Sequence, residues 1–292
     1  MKSTTQLRNL LEKSSQEILV APGAHDALSA RLVEAAGFHA VYMTGYGASA
    51  SLLGRPDVGL LTMSEMVNQA HRFASAVDIP VIADGDTGYG NAVNVERAVR
   101  EYEAAGAAAI QLEDQVAPKK CGHMLGREIV SAEEMVGKIH AAVDARKDKD
   151  FVILARTDAR TNFGIDEAIR RGHMYEEAGA DVLFIESPEN KDEMKKITSS
   201  FKVPVLSNML ESGRTPLMTT QELQEIGYNL VIFCVASTYV SAKAVLDYLK
   251  HLKSTGMTKD IIESSMIAFP EFNKFIGLDK VREIEKKYAN RG

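Results

Sequence analysis

Asp84-Gly85-Asp86-Thr87-Gly88-Tyr89-Gly90-Asn91 sets two carboxylates on alternate residues of a backbone loosened by three glycines. Acids so close repel one another unless a cation or solvent lies between them. Together with Glu113 and with Asp57 of Arg55-Pro56-Asp57, they suggest a magnesium site whose carboxylates act largely through bound water, with Mn2+ as the alternative ion. The spacing of the acids and the missing closing Glu exclude an EF-hand loop. A solvated Asx turn is the plain structural alternative. The run from Glu113 to Glu128 is the second candidate. It is longer and more polar than the usual strand-to-helix connection of about 2 to 6 residues, and it reads as a lid. Within it Cys121 lies beside Lys119, Lys120 and His123, and cations close to a thiol raise its thiolate fraction, which makes Cys121 a candidate acid or base. An inert loop thiol is the competing reading. Zinc is not indicated, because no further Cys or His stands at ligand spacing. Cys234, after Val231-Ile232-Phe233, reads as a small hydrophobe. His25, His39, His71, His140, His173 and His251 show no pairing and receive no role. Gly45-Tyr46-Gly47 is only a fragment of a dinucleotide fingerprint, with no downstream helix to complete it.

The elements that would carry these groups follow from an internal repeat. Glu34-Ala35-Ala36-Gly37, Glu103-Ala104-Ala105-Gly106, Glu177-Ala178-Gly179 and Ile226-Gly227 each precede a short apolar run, namely Ala40–Met43, Ala108–Ile110, Val182–Ile185 and Leu230–Phe233. Glycine just past a helix suits a left-handed cap, and a run apolar on both faces suits a strand buried in a parallel sheet. Ile18–Val20, Pro80–Ala83, Phe151–Ala155 and Val203–Leu206 fill the gaps. Eight strands alternating with helical segments such as Ala27–Ala36, Met63–Ala76, Val93–Ala104, Ala132–Ala145, Ile165–Glu177 and Val240–Leu252 predict an α/β fold, a (β/α)8 TIM barrel, with an open doubly wound sheet as its rival. In such a barrel the chemistry sits at the C-terminal ends of the strands. There the sequence places Thr44 and Gly45, Asp84 and Asp86, Glu113, Arg156, Glu186 and Asn208.

The remaining composition bounds the protein's class. No linker divides the 292 residues, so they are expected to form one barrel domain, with 255–292 as a helical extension. Lys plus Arg is 34 and Asp plus Glu 40, a net charge of -6 without long like-charge blocks, which gives no nucleic-acid footprint. Two cysteines make no disulfide framework and point to a reducing compartment, the cytoplasm. No apolar run approaches the ~18 residues of a membrane span.

The chain resembles the isocitrate lyase / phosphoenolpyruvate mutase superfamily over almost its whole length. Lys119-Lys120-Cys121-Gly122-His123 is similar to the signature of its lyase branch. Tyr42-Met43-Thr44-Gly45, Pro56-Asp57, Asp84 to Gly90, Glu113-Asp114-Gln115, Ala155-Arg156-Thr157-Asp158 and Asn208-Met209 match further family segments in order. The resemblance implies a magnesium-dependent retro-Claisen cleavage of a 2-hydroxy acid to pyruvate, or a similar 2-oxo acid, and a second carboxylate. It implies that Asp84 holds the metal directly, with Asp57, Asp86 and Glu113 acting through water. Backbone N–H groups around Thr44, Gly45 and Tyr46 would bind the substrate carboxylate, and Arg156 would clamp it or the departing one. Tyr42 would take the hydroxyl proton, and Cys121 on the lid, with Lys119 and Gly122 beside it, would protonate the leaving carbanion. Glu186, Asn208 and His123 would orient the second half. Met124 after His123, and Asn208-Met209-Leu210-Glu211-Ser212-Gly213-Arg214-Thr215-Pro216, resemble lyases of 2-alkylmalates, so 2,3-dimethylmalate, giving pyruvate and propionate, is the expected small dicarboxylate. A tricarboxylate, 2-methylisocitrate, giving pyruvate and succinate, is the alternative; decarboxylation, phosphonate chemistry or an inactive binding barrel come after. The apolar stripe through Ile261 to Tyr288 resembles C-terminal helices exchanged between subunits, which implies a homotetramer.

Overall fold

The computed structural model describes residues 1–122, 124 and 126–289. Eight parallel strands, β1 (Leu19–Ala24), β2 (Val41–Met43), β3 (Val81–Asp84), β4 (Ala109–Glu113), β5 (Val152–Thr157), β6 (Val182–Ile185), β7 (Val205–Asn208) and β8 (Leu230–Phe233), pair in chain order. The sheet closes because β8 returns to β1, with Leu19 opposite Leu230 and Ala21 opposite Ile232. Closure decides against the open sheet.

Side chains alternate across each strand, which divides the core in two. Leu19, Ala21, Tyr42, Ile82, Ala109, Leu154, Phe184, Leu206, Leu230 and Ile232 point inward and fill the barrel. Val41, Met43, Ala83, Ile110, Leu112 and Ile153 point outward, against Met66, Phe73, Tyr102, Met135 and Ile139 of the surrounding helices. A side chain of the size of Phe73, buried completely, contributes about 1.5–3 kcal/mol. Gly37, Gly106, Gly179 and Gly227 all take left-handed backbone, φ between 90° and 107°, so each repeat ends its helix at its glycine. The helix Met63–Ala76 starts in a reciprocal cap between Thr62 and Glu65, and Thr220–Ile226 in one between Thr219 and Glu222.

Three helices depart from the expectation. Ser3–Lys13 inserts Leu7 and Leu11 into the inner core, and Arg8 donates to the carbonyls of Asp150 and Phe151 where β5 begins, so this helix closes the N-terminal mouth. Gly45–Leu53 follows β2 directly, although no helix was expected to follow Gly45-Tyr46-Gly47; Thr44 caps it by accepting the Gly47 N–H. The predicted Val240–Leu252 is part of a longer helix, Ala236–Thr255.

The chain divides into two compact units, Met1–Thr238, which contains all eight strands, and Tyr239–Gly292. The described helices of the second unit, including Ile262–Ser265, Phe269–Phe275 and Leu278–Tyr288, bury none of their residues. Among the described residues no helix is long and apolar enough to cross a membrane.

Candidate active site

Seven of the strands deliver side chains to one cavity at the C-terminal rim. The inward pleat explains how. Tyr42 leads to Thr44, Ile82 to Asp84, Leu154 to Arg156, Phe184 to Glu186, Leu206 to Asn208 and Ile232 to Cys234, each two residues on and facing the same way. Glu113 follows Ala109 and Gln111 on β4 in the same register. Tyr42, Thr44, Tyr46, Asp57, Asp84, Glu113, Lys119, Cys121, Gly122, Arg156, Glu186 and Asn208 all line this cavity. His123 lies outside the described residues.

Asp84 is fixed from several sides. Its Oδ2 accepts the Gly45 N–H at 3.2 Å, its Oδ1 accepts the Asp86 N–H at 3.1 Å, and its carbonyl accepts the Tyr102 hydroxyl at 3.0 Å. Tyr89 and Tyr102 hydroxyls meet at 2.6 Å behind it. A Cβ on Gly45 would lie 2.6 Å from Asp84 Oδ2, so only glycine permits this approach. Two expected substrate donors are thereby corrected. The Gly45 N–H serves Asp84, and the Thr44 N–H donates to the Ala24 carbonyl at 3.2 Å, so both are satisfied within the protein.

Lys119 is the cation among the acids. Its Nζ stands 2.7 Å from Asp57 Oδ1 and 2.7 Å from Asp86 Oδ1, with a side chain 5% exposed. Burial would pull this ammonium down, but Asp86 and Asp57 outweigh burial and hold it well above its ordinary value. Burial pushes Asp86 up to about 6 even with Lys119 opposing, since Asp84 and Asp57 add to the rise. Glu113 is raised well above the carboxylate range by burial, against Arg156 and Lys119. Of the two lysines beside Cys121 in the chain, Lys119 pairs with the acids and Lys120 Nζ donates to the Gly126 carbonyl.

Among the described residues no three His, Cys, Asp or Glu side chains close on one point as a ready metal cage. The donor chemistry nevertheless suits magnesium with retained waters, because every candidate group is a carboxylate oxygen and Glu113 Oε1 is buried without a hydrogen-bond partner. Asp86 backs Asp84 and Lys119 and does not line the cavity itself.

Arg156 forms the opposite wall. Asp158 grips it in a fork, Nε to Oδ2 at 3.0 Å and Nη2 to Oδ1 at 2.9 Å. Its outer edges lie 3.3 Å from Glu113 Oε2 and 3.4 Å from Glu186 Oε2, and its guanidinium carbon sits 5.2 Å from the Phe184 ring centre. Behind it, Asp114 accepts from the Asp158 N–H, Thr157 and Tyr175. Gly122 reaches into this wall: a Cβ there would stand 2.2 Å from Arg156 Nη2.

Two further differences concern protons. Burial, with Asp84 adding, raises the Tyr42 phenol well above its ordinary value, so Tyr42 enters the site as a neutral donor rather than a base. Cys234, read as core, lines the cavity; burial, Glu186 and Cys121 raise its thiol and keep it neutral. Reasoning from sequence also missed the apolar lining of Phe184, Leu210, Ile232 and Val235, and the role of Asp158. The two-residue step from Ile232 to Cys234 was the available signal.

Residues 7–253 match the phosphoenolpyruvate phosphomutase family. The chain is 58% identical over 289 residues, 99% of both chains, to the 2,3-dimethylmalate lyase of Eubacterium barkeri. A crystal structure of a 2,3-dimethylmalate lyase superposes with a TM-score of 0.93 at 34% identity, covering 100% of this chain and 98% of that one. A phosphonopyruvate hydrolase in complex with oxalate and Mg2+ superposes with a TM-score of 0.89 at 35% identity, covering 99% of this chain and 100% of that one. A closed eight-stranded barrel, a carboxylate rim and full-length identity of this order converge on one assignment: the chain belongs to the phosphoenolpyruvate mutase/isocitrate lyase superfamily.

Proposed function

We propose that the protein is a carbon-carbon lyase that cleaves 2,3-dimethylmalate to pyruvate and propionate. The observation that carries this reading is the approach of Gly122 to Arg156 and Glu186, with the neighbouring Cys121 lining the same cavity as that cation, which suits a carboxylate. The 58% identity to a 2,3-dimethylmalate lyase supports the substrate. So does the apolar part of the lining, Phe184, Leu210, Ile232 and Val235, which suits methyl branches.

Asp84, with Asp57, Asp86 and Glu113 through water, would hold Mg2+. When bound, that ion would supply positive charge that favours ionisation of the substrate's C2 hydroxyl. Arg156 binds a substrate carboxylate through its outer edges. Tyr42 donates a hydrogen bond to the substrate's C2 oxygen. Glu113, whose raised affinity for protons makes it a base when ionised, takes the hydroxyl proton at Oε1. The C2–C3 bond then breaks, C2 becomes the carbonyl of pyruvate, and its electron pair passes to C3. Cys121 gives its thiol proton to C3 and completes propionate. Glu186, Asn208 and Gly122 orient that half. Lys119 balances Asp57 and Asp86, and the Gly45 N–H holds Asp84 in place.

The unburied helices after Tyr239 carry exposed Val245, Leu249, Met266, Ile267, Phe269 and Ile284, which supports a homotetramer that covers them. Neither cysteine is in a disulfide, in keeping with the cytoplasm.

A panel of 2,3-dimethylmalate, 2-methylisocitrate, isocitrate, oxaloacetate and phosphonopyruvate tests the reading, with release of pyruvate or other product coupled to a reporter. The highest kcat/KM is expected on 2,3-dimethylmalate, with loss of turnover on chelation. Preference for another member, or turnover indifferent to a chelator, overturns it.

A further inference from the structure

Arg127 does not line the cavity, yet it is 4% exposed and both terminal nitrogens of its guanidinium are hydrogen-bonded. Its Nη1 is hydrogen-bonded to Asp158 Oδ1, its Nη2 donates to Thr161 Oγ1 at 2.6 Å, and its carbonyl accepts the Asn162 side-chain amide at 2.8 Å. Asp158 Oδ1 is also the oxygen that Arg156 Nη2 uses at 2.9 Å. One carboxylate oxygen therefore serves two guanidinium groups, one in the site and one behind it.

The charge count around Arg156 makes this sharing consequential. Arg156 faces the Asp158 carboxylate at its fork and the Glu186 and Glu113 carboxyl groups at its outer edges. In a medium of low dielectric a cation so surrounded has little attraction left for an incoming anion. Contacts to Glu113 and Glu186 are long, 3.3 and 3.4 Å against about 2.7–2.9 Å for a strong charge-assisted bond, so those edges can be surrendered to a substrate carboxylate. The short fork to Asp158 cannot. Arg127 draws off part of the Asp158 charge at the shared oxygen while leaving the fork that aims Arg156 intact.

We propose that Arg127 is a positioning residue that acts through Asp158, sharing its charge so that Arg156 remains cationic enough to bind the substrate carboxylate. This rests on the reading of Arg156 as the carboxylate-binding cation. Arg127 never touches substrate; its loss leaves Arg156 well aimed and overneutralised.

The test measures oxalate binding by calorimetry in excess Mg2+, with thermal unfolding beside it. Arg127→Gln keeps hydrogen-bonding capacity and removes the charge, and should weaken oxalate about 10-fold, the scale of one buried charge contact. Arg127→Lys keeps the charge, loses the fork, and should stay within a few-fold of the parent. Arg127→Gln/Asp158→Asn removes both charges and should bind oxalate more tightly than Arg127→Gln alone, although two buried contacts are then lost. A merely structural Arg127 gives the reverse in each comparison: the glutamine variant like the parent, the lysine variant weak, the double variant weakest. Either that order or unchanged binding in Arg127→Gln overturns the inference. A parent protein that binds no oxalate overturns the underlying reading of the site, and the inference with it.

Discussion

Replacing Asp86 by Asn separates a cation site from a self-contained ion pair, because the two predict opposite signs. In the metal-free protein the Asp86 carboxyl titrates at about 6 against 3.8 for an ordinary side chain. The folded state thus holds the extra proton between about pH 4 and 6, and stability falls as pH rises through that window. Raising the carboxyl from 3.8 to about 6 corresponds to ~3 kcal/mol of destabilisation, present in full about one pH unit above 6. Asparagine resembles the protonated acid and escapes it. With a chelator at pH 7.5, Asp86→Asn should therefore melt higher than the parent by about 6 °C, at roughly 2 °C per kcal/mol for a chain of this size. Its advantage should shrink towards pH 4. Saturating Mg2+ should invert the order, since an ion at 100 times its Kd adds about 2.7 kcal/mol to the parent, whereas the variant has lost one of the acids that hold its water shell. Differential scanning calorimetry at pH 5 and 7.5, with chelator and with magnesium, gives the four melting temperatures. A variant that melts lower than the parent in chelator at both pH values refutes the reasoning; the Lys119 pair would then outweigh the repulsion of Asp84 and Asp57.

Two other outcomes can be measured directly. Cys121→Ser should keep its melting temperature and magnesium response while pyruvate release slows ~100-fold or more, the scale of a missing proton donor; turnover within a few-fold of the parent removes Cys121 from the chemistry. Truncation after Leu252 deletes the exposed Met266, Ile267, Phe269 and Ile284, and should give dissociated or insoluble material. A soluble, active tetramer after truncation, seen by sedimentation, removes the C-terminal segment from the assembly.

The strands were legible because burial leaves a direct mark: Val182–Ile185 and Leu230–Phe233 are apolar on both faces and lie between a helix-ending glycine and a polar rim residue. Rim groups were legible for the same reason, since a charged residue ending a buried strand has one open direction. The helix Ser3–Lys13 was not, because its core contacts rest on Leu7 and Leu11 among polar neighbours, and only the barrel mouth selects that face. Cys234 packs against the inner core as a small hydrophobe does, but its cavity face was not legible, because a thiol after three apolar residues carries the same signature in a core and at a rim; pairing with Ile232's inward pleat shows that face.

What the chain order hides most completely is the layer behind the cavity. Asp158 binds Arg127 from 31 residues away, and Asp114 receives Arg171 from 57 and Tyr175 from 61. No periodicity links such positions; they meet because β4 and β5 are neighbours and the helix Ile165–Glu177 packs beside them. Yet these pairs decide whether Arg156 is aimed and how much of its charge survives. Lys119 makes the same point from the other wall: its sequence neighbour is Cys121, but its ammonium belongs to Asp57 and Asp86, 62 and 33 residues earlier. A barrel rim brings reactive groups together by strand order alone, whereas their charge state depends on partners that only the closed fold assembles. Electrostatic balance, rather than the identity of the rim residues, is therefore the property through which substitutions remote in sequence act on this site.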